Sequence, residues 1–422
     1  MTNAAVRPAR SVRSTARTWW RPAVALTAIG WGANQFAPLI VLYQRDGVAS
    51  SATGLMFALY AVGLIPALLV GGRWSDRAGR RGVVQAALSV SIVATAALML
   101  GSVQTWFLYP GRLLAGVSSG LAFGAGAAWI RELSASHGLA QTGPRRSTVA
   151  MTVGFGGGPL VAGLIAQWAA QPAITAYLPQ LIVTVCALIA VHSAPDERAR
   201  VDQRLPAPQA TSRPLSRYLM VVMLPFAPWV FGTATIALAY LPAQVADSAG
   251  GAGLMFAAVT TALPAFAGVL IQPLAARLAV LGSRRLLLSS MTGVVVSLAI
   301  AAWAAAAASL LAVLFASLVL GAAYGLAQFT GLTEVQRVAD PARLGTATAI
   351  YQSFSYLGFA LPMALTLAQS ALGWQPAQAL LLVLAVAAGS TAWLLGATST
   401  RTKNPEPRGH RGTLGDGSEQ PC

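Results

Sequence analysis

The sequence predicts an all-α membrane protein of twelve transmembrane helices arranged as two six-helix halves, and three observations carry that prediction. Of 422 residues, 56% are hydrophobic and only 9% charged, against about 25% charged in soluble domains. Apolar runs of about 20 residues, enough to cross about 30 Å of hydrocarbon, recur about twelve times along the chain. The cationic residues gather in every second gap between those runs.

Taken in order, the runs lie near 22–43, 52–72, 82–101, 105–130, 147–168, 174–194, 217–244, 254–276, 285–307, 309–332, 345–370 and 376–397. A basic segment, 1–21, precedes them. It lacks a small-residue cleavage site and leads directly into the first run, so it reads as an orienting flank and not as a removed signal. Residues 22–194 make one six-helix bundle and 217–397 the other. Between them, 195–216 holds Pro206, Pro208 and Pro214 among charged residues and reads as a linker. The polar, Gly/Pro-rich stretch 398–422 reads as a disordered tail.

The formal charge is +16, which in a soluble chain would point to nucleic acid; its placement excludes that. Arg7, Arg10, Arg13, Arg17 and Arg21 precede the first run, and Arg73, Arg77, Arg80 and Arg81 follow the second. Arg131, Arg145 and Arg146 follow the fourth; Arg198, Arg200, Arg204, Arg213 and Arg217 the sixth; Arg277, Arg284 and Arg285 the eighth; Arg337 and Arg343 the tenth. With Arg401, Lys403, Arg408 and Arg411 in the tail, 26 of the 28 Lys and Arg fall on one side, leaving Arg45 outside and Arg112 inside a run. The positive-inside rule then predicts an even number of crossings, both termini in the cytoplasm and a multi-pass protein of the cell (cytoplasmic) membrane. Two cysteines, Cys186 and Cys422, support neither a disulfide framework nor a metal site, and neither cofactor nor metal is expected.

The halves repeat. Gly54-Leu55-Met56-Phe57-Ala58 returns as Gly253-Leu254-Met255-Phe256-Ala257; Pro66 and Arg77 are matched by Pro264 and Arg277. Leu114-Ala115-Gly116 with Gly120 is matched by Val319-Leu320-Gly321 with Gly325, and Gly158 by Gly358. A period of about 200 residues makes the second half a diverged copy of the first.

Between the second and third runs stands Gly72-Arg73-Trp74-Ser75-Asp76-Arg77-Ala78-Gly79-Arg80-Arg81. It resembles the helix 2–3 loop signature of the major facilitator superfamily, in which Gly, Asp, Arg, Gly and two basic residues stand at this spacing. Gly72 is expected to let helices approach and Gly79 to make a tight turn. The resemblance implies two six-helix halves that rock about a central site near the bilayer midplane. It also implies that Asp76, with Arg77, Arg80, Arg81, Arg131 and Glu132, locks one conformation near the ends of the fourth and eleventh helices. Asp340-Pro341 reads as the start of the eleventh, with Asp as cap and Pro in the first turn. The second half has Ala276 where the first has Asp76.

In the fourth run, Arg112 with Gly116 and Gly120 matches the superfamily's Arg-x-x-x-Gly-x-x-x-Gly pattern. An arginine two turns inside a span is a functional candidate by default, here for coupling; the alternative is that it snorkels to the outer interface. Its counterpart is Ser317. The fifth run carries Gly154-Phe155-Gly156-Gly157-Gly158-Pro159 and Gly163. It resembles the Gly-x-x-x-Gly-Pro-x-x-x-Gly segment of export-type antiporters, its glycines allowing backbone contact and its proline a bend; the alternative is a generic packing face.

Asn34 and Gln35 place two amides near mid-membrane in the first run. With Phe36, Phe123, Trp229, Tyr240, Tyr324, Gln328, Tyr351 and Gln352 they are the expected cavity lining, aromatic with a few amides, suited to a mainly apolar organic ligand. No acid falls in the middle of a run, and His137, His192 and His410 are peripheral, so proton coupling is implied by the resemblance alone. The resulting expectation is a monomeric secondary transporter in the bilayer, exporting small organic compounds by proton antiport. The alternative is a facilitator or symporter for a sugar or other metabolite. An enzyme is not expected: no paired carboxylates, nucleophile–base set or nucleotide-binding loop is present.

Overall fold

The computed structural model describes residues 18–135, 142–194, 218–339 and 344–399, and among them every regular element is helical. The expected linker, most of the basic leading segment and tail, and the Asp340-Pro341 helix start lie outside the described residues.

Eleven helical stretches are long and apolar enough to cross a membrane. One of them, Met220–Val280, is 61 residues long, more than two crossings at 1.5 Å per residue. It is interrupted by a turn at Ala246–Ala252, where Gly250 takes φ 54, ψ −128, so the path makes twelve crossings. We number them α1 (Trp20–Arg45), α2 (Ser50–Ala78), α3 (Arg80–Leu100), α4 (Leu108–Ala135), α5 (Arg145–Trp168), α6 (Pro172–His192), α7 (219–245), α8 (253–280), α9 (Ser283–Ala307), α10 (Leu310–Val338), α11 (Thr346–Leu372) and α12 (Pro376–Ser399). The helix ends bearing Arg80, Arg131, Arg284 and Arg337 form the basic end of the bundle.

The repeated glycines decide which helices touch. In the first half α2 crosses α4 backbone to backbone: a Cβ on Gly63 or Gly116 would strike the carbonyl of Leu113 or Tyr60, and one on Gly120 that of Leu64. In the second half α8 crosses α10 the same way, Gly321 against Pro264 and Gly325 against Gly268. Without a hydrophobic drive between helices in lipid, such contact supplies much of the association. Gly154 and Gly158 seat α5 on Thr27 and Trp31 of α1, while Gly358 seats α11 on Pro228 and Gly232 of α7. The turns after α2 and α8 are also twins, Gly79 at φ 91 and Gly282 at φ 104, conformations that L side chains disfavour.

Prolines account for the breaks. Pro38 has no N–H for the Asn34 carbonyl, and α1 is interrupted at Gln35 between Trp20–Asn34 and Phe36–Arg45. Pro159 likewise leaves the Phe155 carbonyl unclaimed; residues Val153–Gly157 widen into a π-helical turn, and the Asn34 amide donates to that carbonyl at 3.4 Å.

Candidate functional site

At the core of the first half, Arg112 is fully buried on α4. It does not snorkel to an interface. Its Nε donates to the Met56 carbonyl of α2 at 3.3 Å and its Nη1 to the Ala33 carbonyl at 3.2 Å, beside the break in α1. Its guanidinium faces Phe36, Phe57 and Tyr60, with ring centroids at 4.8, 5.6 and 4.8 Å. An arginine inside a span costs up to about 2.5–3.5 kcal/mol on insertion scales, the value at a helix centre. Three ring faces at about 0.5–2 kcal/mol each and two charge-assisted hydrogen bonds offset that. Among the described residues no ion pair is formed at Arg112, and its Nη2 has no hydrogen-bond partner.

The cage continues into the second half as an aromatic chain. Phe57 and Tyr60 of α2 each lie 5.2 Å from Phe359 of α11, and Phe359 adjoins Phe231 of α7 and Tyr356. Phe231 stacks on Tyr356 at 4.3 Å and meets Tyr324 of α10 at 5.6 Å. Beyond Phe57, away from the basic end, a cavity of about 140 Å³ opens between α1, α2, α7 and α11. Ile40, Gln44, Ser50, Thr53, Gly54, Phe57, Ala239, Tyr240, Ala243, Gln244, Pro362 and Thr366 line it.

Of the residues expected to line a cavity, Tyr240 does so here, donating to Gln369 at 3.1 Å. The others sit elsewhere. Asn34 is turned to Phe155, Phe36 caps Arg112, and Phe123 meets Phe155 edge-on at 5.4 Å. Tyr351 is buried with its ring against Gly331, and Trp229 is buried on α7. Tyr324 belongs to the aromatic chain. Gln35 is buried with neither amide atom paired, and Gln328 and Gln352 have unpaired Oε1 atoms. Phe57, Tyr60, Phe231, Tyr356 and Phe359 were not singled out from the sequence. The repeated Gly-Leu-Met-Phe-Ala, which contains Phe57, was the available signal.

The two ends differ. At the basic end, Arg80 Nε meets Glu132 Oε1 at 3.1 Å and its Nη1 donates to Ser75 at 2.8 Å, tying the α2–α3 turn to α4. Arg81 donates to the Ala194 carbonyl at 3.4 Å; Arg77 and Arg131 are exposed, and the Asp76 side chain lies outside what is described. Gly72 is a correction: it is exposed with open space around it, and the glycine that lets α2 meet α4 at that level is Gly71, against Leu121. One residue turns a helix by about 100°, which moves Gly72 off the contact face. In the second half, Glu334 is 1% exposed, accepts from Tyr218 at 2.5 Å and pairs with Arg337 at 2.8 Å. Burial, and then the neighbouring carboxylate, hold the Tyr218 phenol above its ordinary range, so it remains a donor. At the opposite end three hydrogen bonds join the halves. Arg45 donates to Gly250 O at 3.3 Å, Gln167 Nε2 to Gly251 O, and Met255 N to Gln167 Oε1 at 3.0 Å. Gly163 of α5 also packs on Ala258 of α8.

A profile of the Major Facilitator Superfamily matches residues 22–363. The chain belongs to that superfamily. It is a multi-pass membrane protein of a transporter family. The chain is 26% identical over 206 residues to the class D tetracycline resistance protein of Salmonella ordonez, covering 48% of this chain and 50% of that one. It is 35% identical over 159 residues to the class E tetracycline resistance protein of Escherichia coli, covering 36% of each. The chain thus spans half or less of the length of the curated relatives it matches. The crystal structure of the nucleoside transporter NupG superposes with a TM-score of 0.70 at 9% identity, over 91% of this chain and 99% of that one, a likeness of fold.

Proposed function

We propose that this superfamily member exports small, mainly apolar organic compounds by alternating access, with proton antiport. The observation that carries the export reading is the construction of α5. Gly154 and Gly158 fit it to α1, Pro159 opens a π-helical turn, and Gly163 fits it to Ala258 of α8. One helix thereby touches both halves along a glycine face, as the export-type segment it resembles would require. The two relatives named for tetracycline resistance support the same direction.

In this reading the basic end is cytoplasmic, and the Arg45 and Gln167 contacts to the α7–α8 turn hold the outer side closed. Arg80 and Glu132 belong to the lock that Asp76 completes, which couples α2–α3 movement to α4. Arg112, Asp76 and Glu132 are the residues that this reading assigns to proton coupling. The cell membrane, the monomeric state and the cytoplasmic termini are part of the same proposal.

The test is the susceptibility of an exporter-deficient host expressing the full chain to a panel of lipophilic compounds, together with accumulation before and after a protonophore. Raised resistance and accumulation that climbs when the gradient collapses support export. Accumulation that falls on collapse reverses the direction. That second reading, uptake of a polar metabolite, draws on Gln44, Ser50, Thr53, Gln244 and Thr366 around the cavity, whose amides and hydroxyls suit a hydroxylated ligand.

A further inference from the structure

We propose that Arg112 is the receptor for an anionic group, so that the preferred substrates are organic acids with an apolar body; the proposal rests on the export reading only for the direction of transport. Its basis is an imbalance of charge inside the membrane. Of the twelve acidic residues none lies mid-span: Asp46 and Asp247 fall in turns at the end away from the basic one, and Glu132 and Glu334 sit at the basic end, each in an ion pair. Among the described residues Arg112 is the one charged side chain in the interior between those layers. A fixed positive charge in low dielectric, with no negative charge near it, favours an entering anion and repels an entering cation.

The guanidinium is also incompletely used. Two carbonyls take Nε and Nη1, whereas Nη2 is buried without a partner. The three rings soften the charge but accept no directed hydrogen bond from that nitrogen, and buried donors in folded proteins are nearly always paired. A carboxylate or phenolate supplies what is missing. Aromatic rings alone would suit an organic cation, but here the cage already holds one.

A route to the guanidinium exists through Phe57. The same ring caps Arg112 and lines the 140 Å³ cavity, and it is stacked on Phe359 of the other half at 5.2 Å. Rocking of the halves separates these two rings, which frees Phe57 to turn and joins the cavity to Nη2. The cavity's remaining polar groups, among them Gln44, Thr53 and Tyr240, are neutral and add no competing charge.

The test uses the purified full chain in a neutral detergent and three ligands with one naphthylbutyl body, ending in a carboxylate, an alcohol or a trimethylammonium, with affinities from equilibrium dialysis. The carboxylate should bind about tenfold or more tighter than the other two, the effect of a charge-assisted hydrogen bond. In Arg112→Gln the carboxylate-to-alcohol ratio should collapse to about one, and in Arg112→Lys stay above it. Equal affinities, tighter binding of the ammonium, no carboxylate binding, or an unchanged ratio in Arg112→Gln would overturn the proposal. Should Arg112→Gln not fold, acidifying the wild-type assay below the ligand's own pKa must abolish the carboxylate's advantage, and an advantage that survives overturns it equally. Inside-out vesicles separate this from the export reading. An Arg112-dependent binding preference without energised accumulation defeats export alone, and accumulation without charge preference defeats the anion site alone.

Discussion

The two halves share a scaffold and differ in where they keep their charges. The α2/α4 crossing on Gly63, Gly116 and Gly120 and the α8/α10 crossing on Gly321 and Gly325 bring backbones into contact in the same way, and the turns at Gly79 and Gly282 share one conformation. Yet the first half places an arginine without a charged partner among the described residues inside the span, four residues from the start of α4, and leaves its end pair only partly buried, Arg80 at 24% and Glu132 at 38%. The second half has Ser317 where Arg112 would stand and buries its acid at the end, between Tyr218 and Arg337. Duplication preserved what packing demands and left the polar groups to diverge, so that under the proposed anion site ligand sensing falls to the first half and bracing to the second.

The largest effects should come from the shared part. Gly116→Val and Gly325→Val put methyl groups where the Tyr60 and Gly268 carbonyls lie, and backbone cannot step aside as a side chain can. Each should cost more than the roughly 1–3 kcal/mol of ordinary overpacking, seen as loss of monodisperse protein in detergent. If only one of the pair is damaging, the halves are not built alike.

Next is the buried acid. Glu334→Ala removes the charged acceptor of the Tyr218 hydroxyl and the ion-pair partner of Arg337, and a hydrogen bond to a charged group is worth about 1.5–3 kcal/mol, read as a lowered thermal transition. Tyr218→Phe with Glu334→Ala should recover part of that loss in a double-mutant cycle. Additive losses would mean that Tyr218 does not brace Glu334.

The contact between the halves comes third. Gln167→Ala removes one hydrogen bond to the α7–α8 turn and one from the first turn of α8, and Arg45→Ala one to the α7–α8 turn, about 0.5–1.5 kcal/mol each. The pair should shift the population toward a form open at that end by several-fold, measured as faster labelling of a cysteine introduced at Thr366 on the cavity wall. Unchanged labelling would show that packing such as Gly163 on Ala258 holds that end without them.

These contrasts also show what could be read in advance. The succession of membrane-length helices was legible, because apolar length maps onto membrane thickness; the repeated glycines were visible, but not which helices they would join. The aromatic lining was not legible. Phe36 and Phe57 face Arg112, while Trp229 and Tyr351 are packed away, and which way a ring points depends on helix rotations that no local pattern encodes. Gly72 and Gly71 differ by one residue, and that step separates exposed surface from the contact with α4. The bare charge on Arg112 was visible, but the two carbonyls that hold it were not, since Ala33 is presented beside the break in α1 and Met56 by the way α2 crosses α4.

The smallest stability change and the sharpest functional one should coincide at the partly buried Arg80–Glu132 pair. Glu132→Gln removes an ion pair at surface exposure, worth about 0.2–1 kcal/mol and screened by salt, so the thermal transition should move far less than in Glu334→Ala. If the pair belongs to the lock, the same substitution should change the rate of energised export several-fold, because freeing the α2–α3 turn from α4 alters the balance between states without touching the ligand. Arg80→Gln should match it in both respects, and the double variant should add little to either. A Glu132→Gln protein that is as unstable as Glu334→Ala would make this pair a brace like its counterpart, and the division of labour between the halves would fail at the basic end.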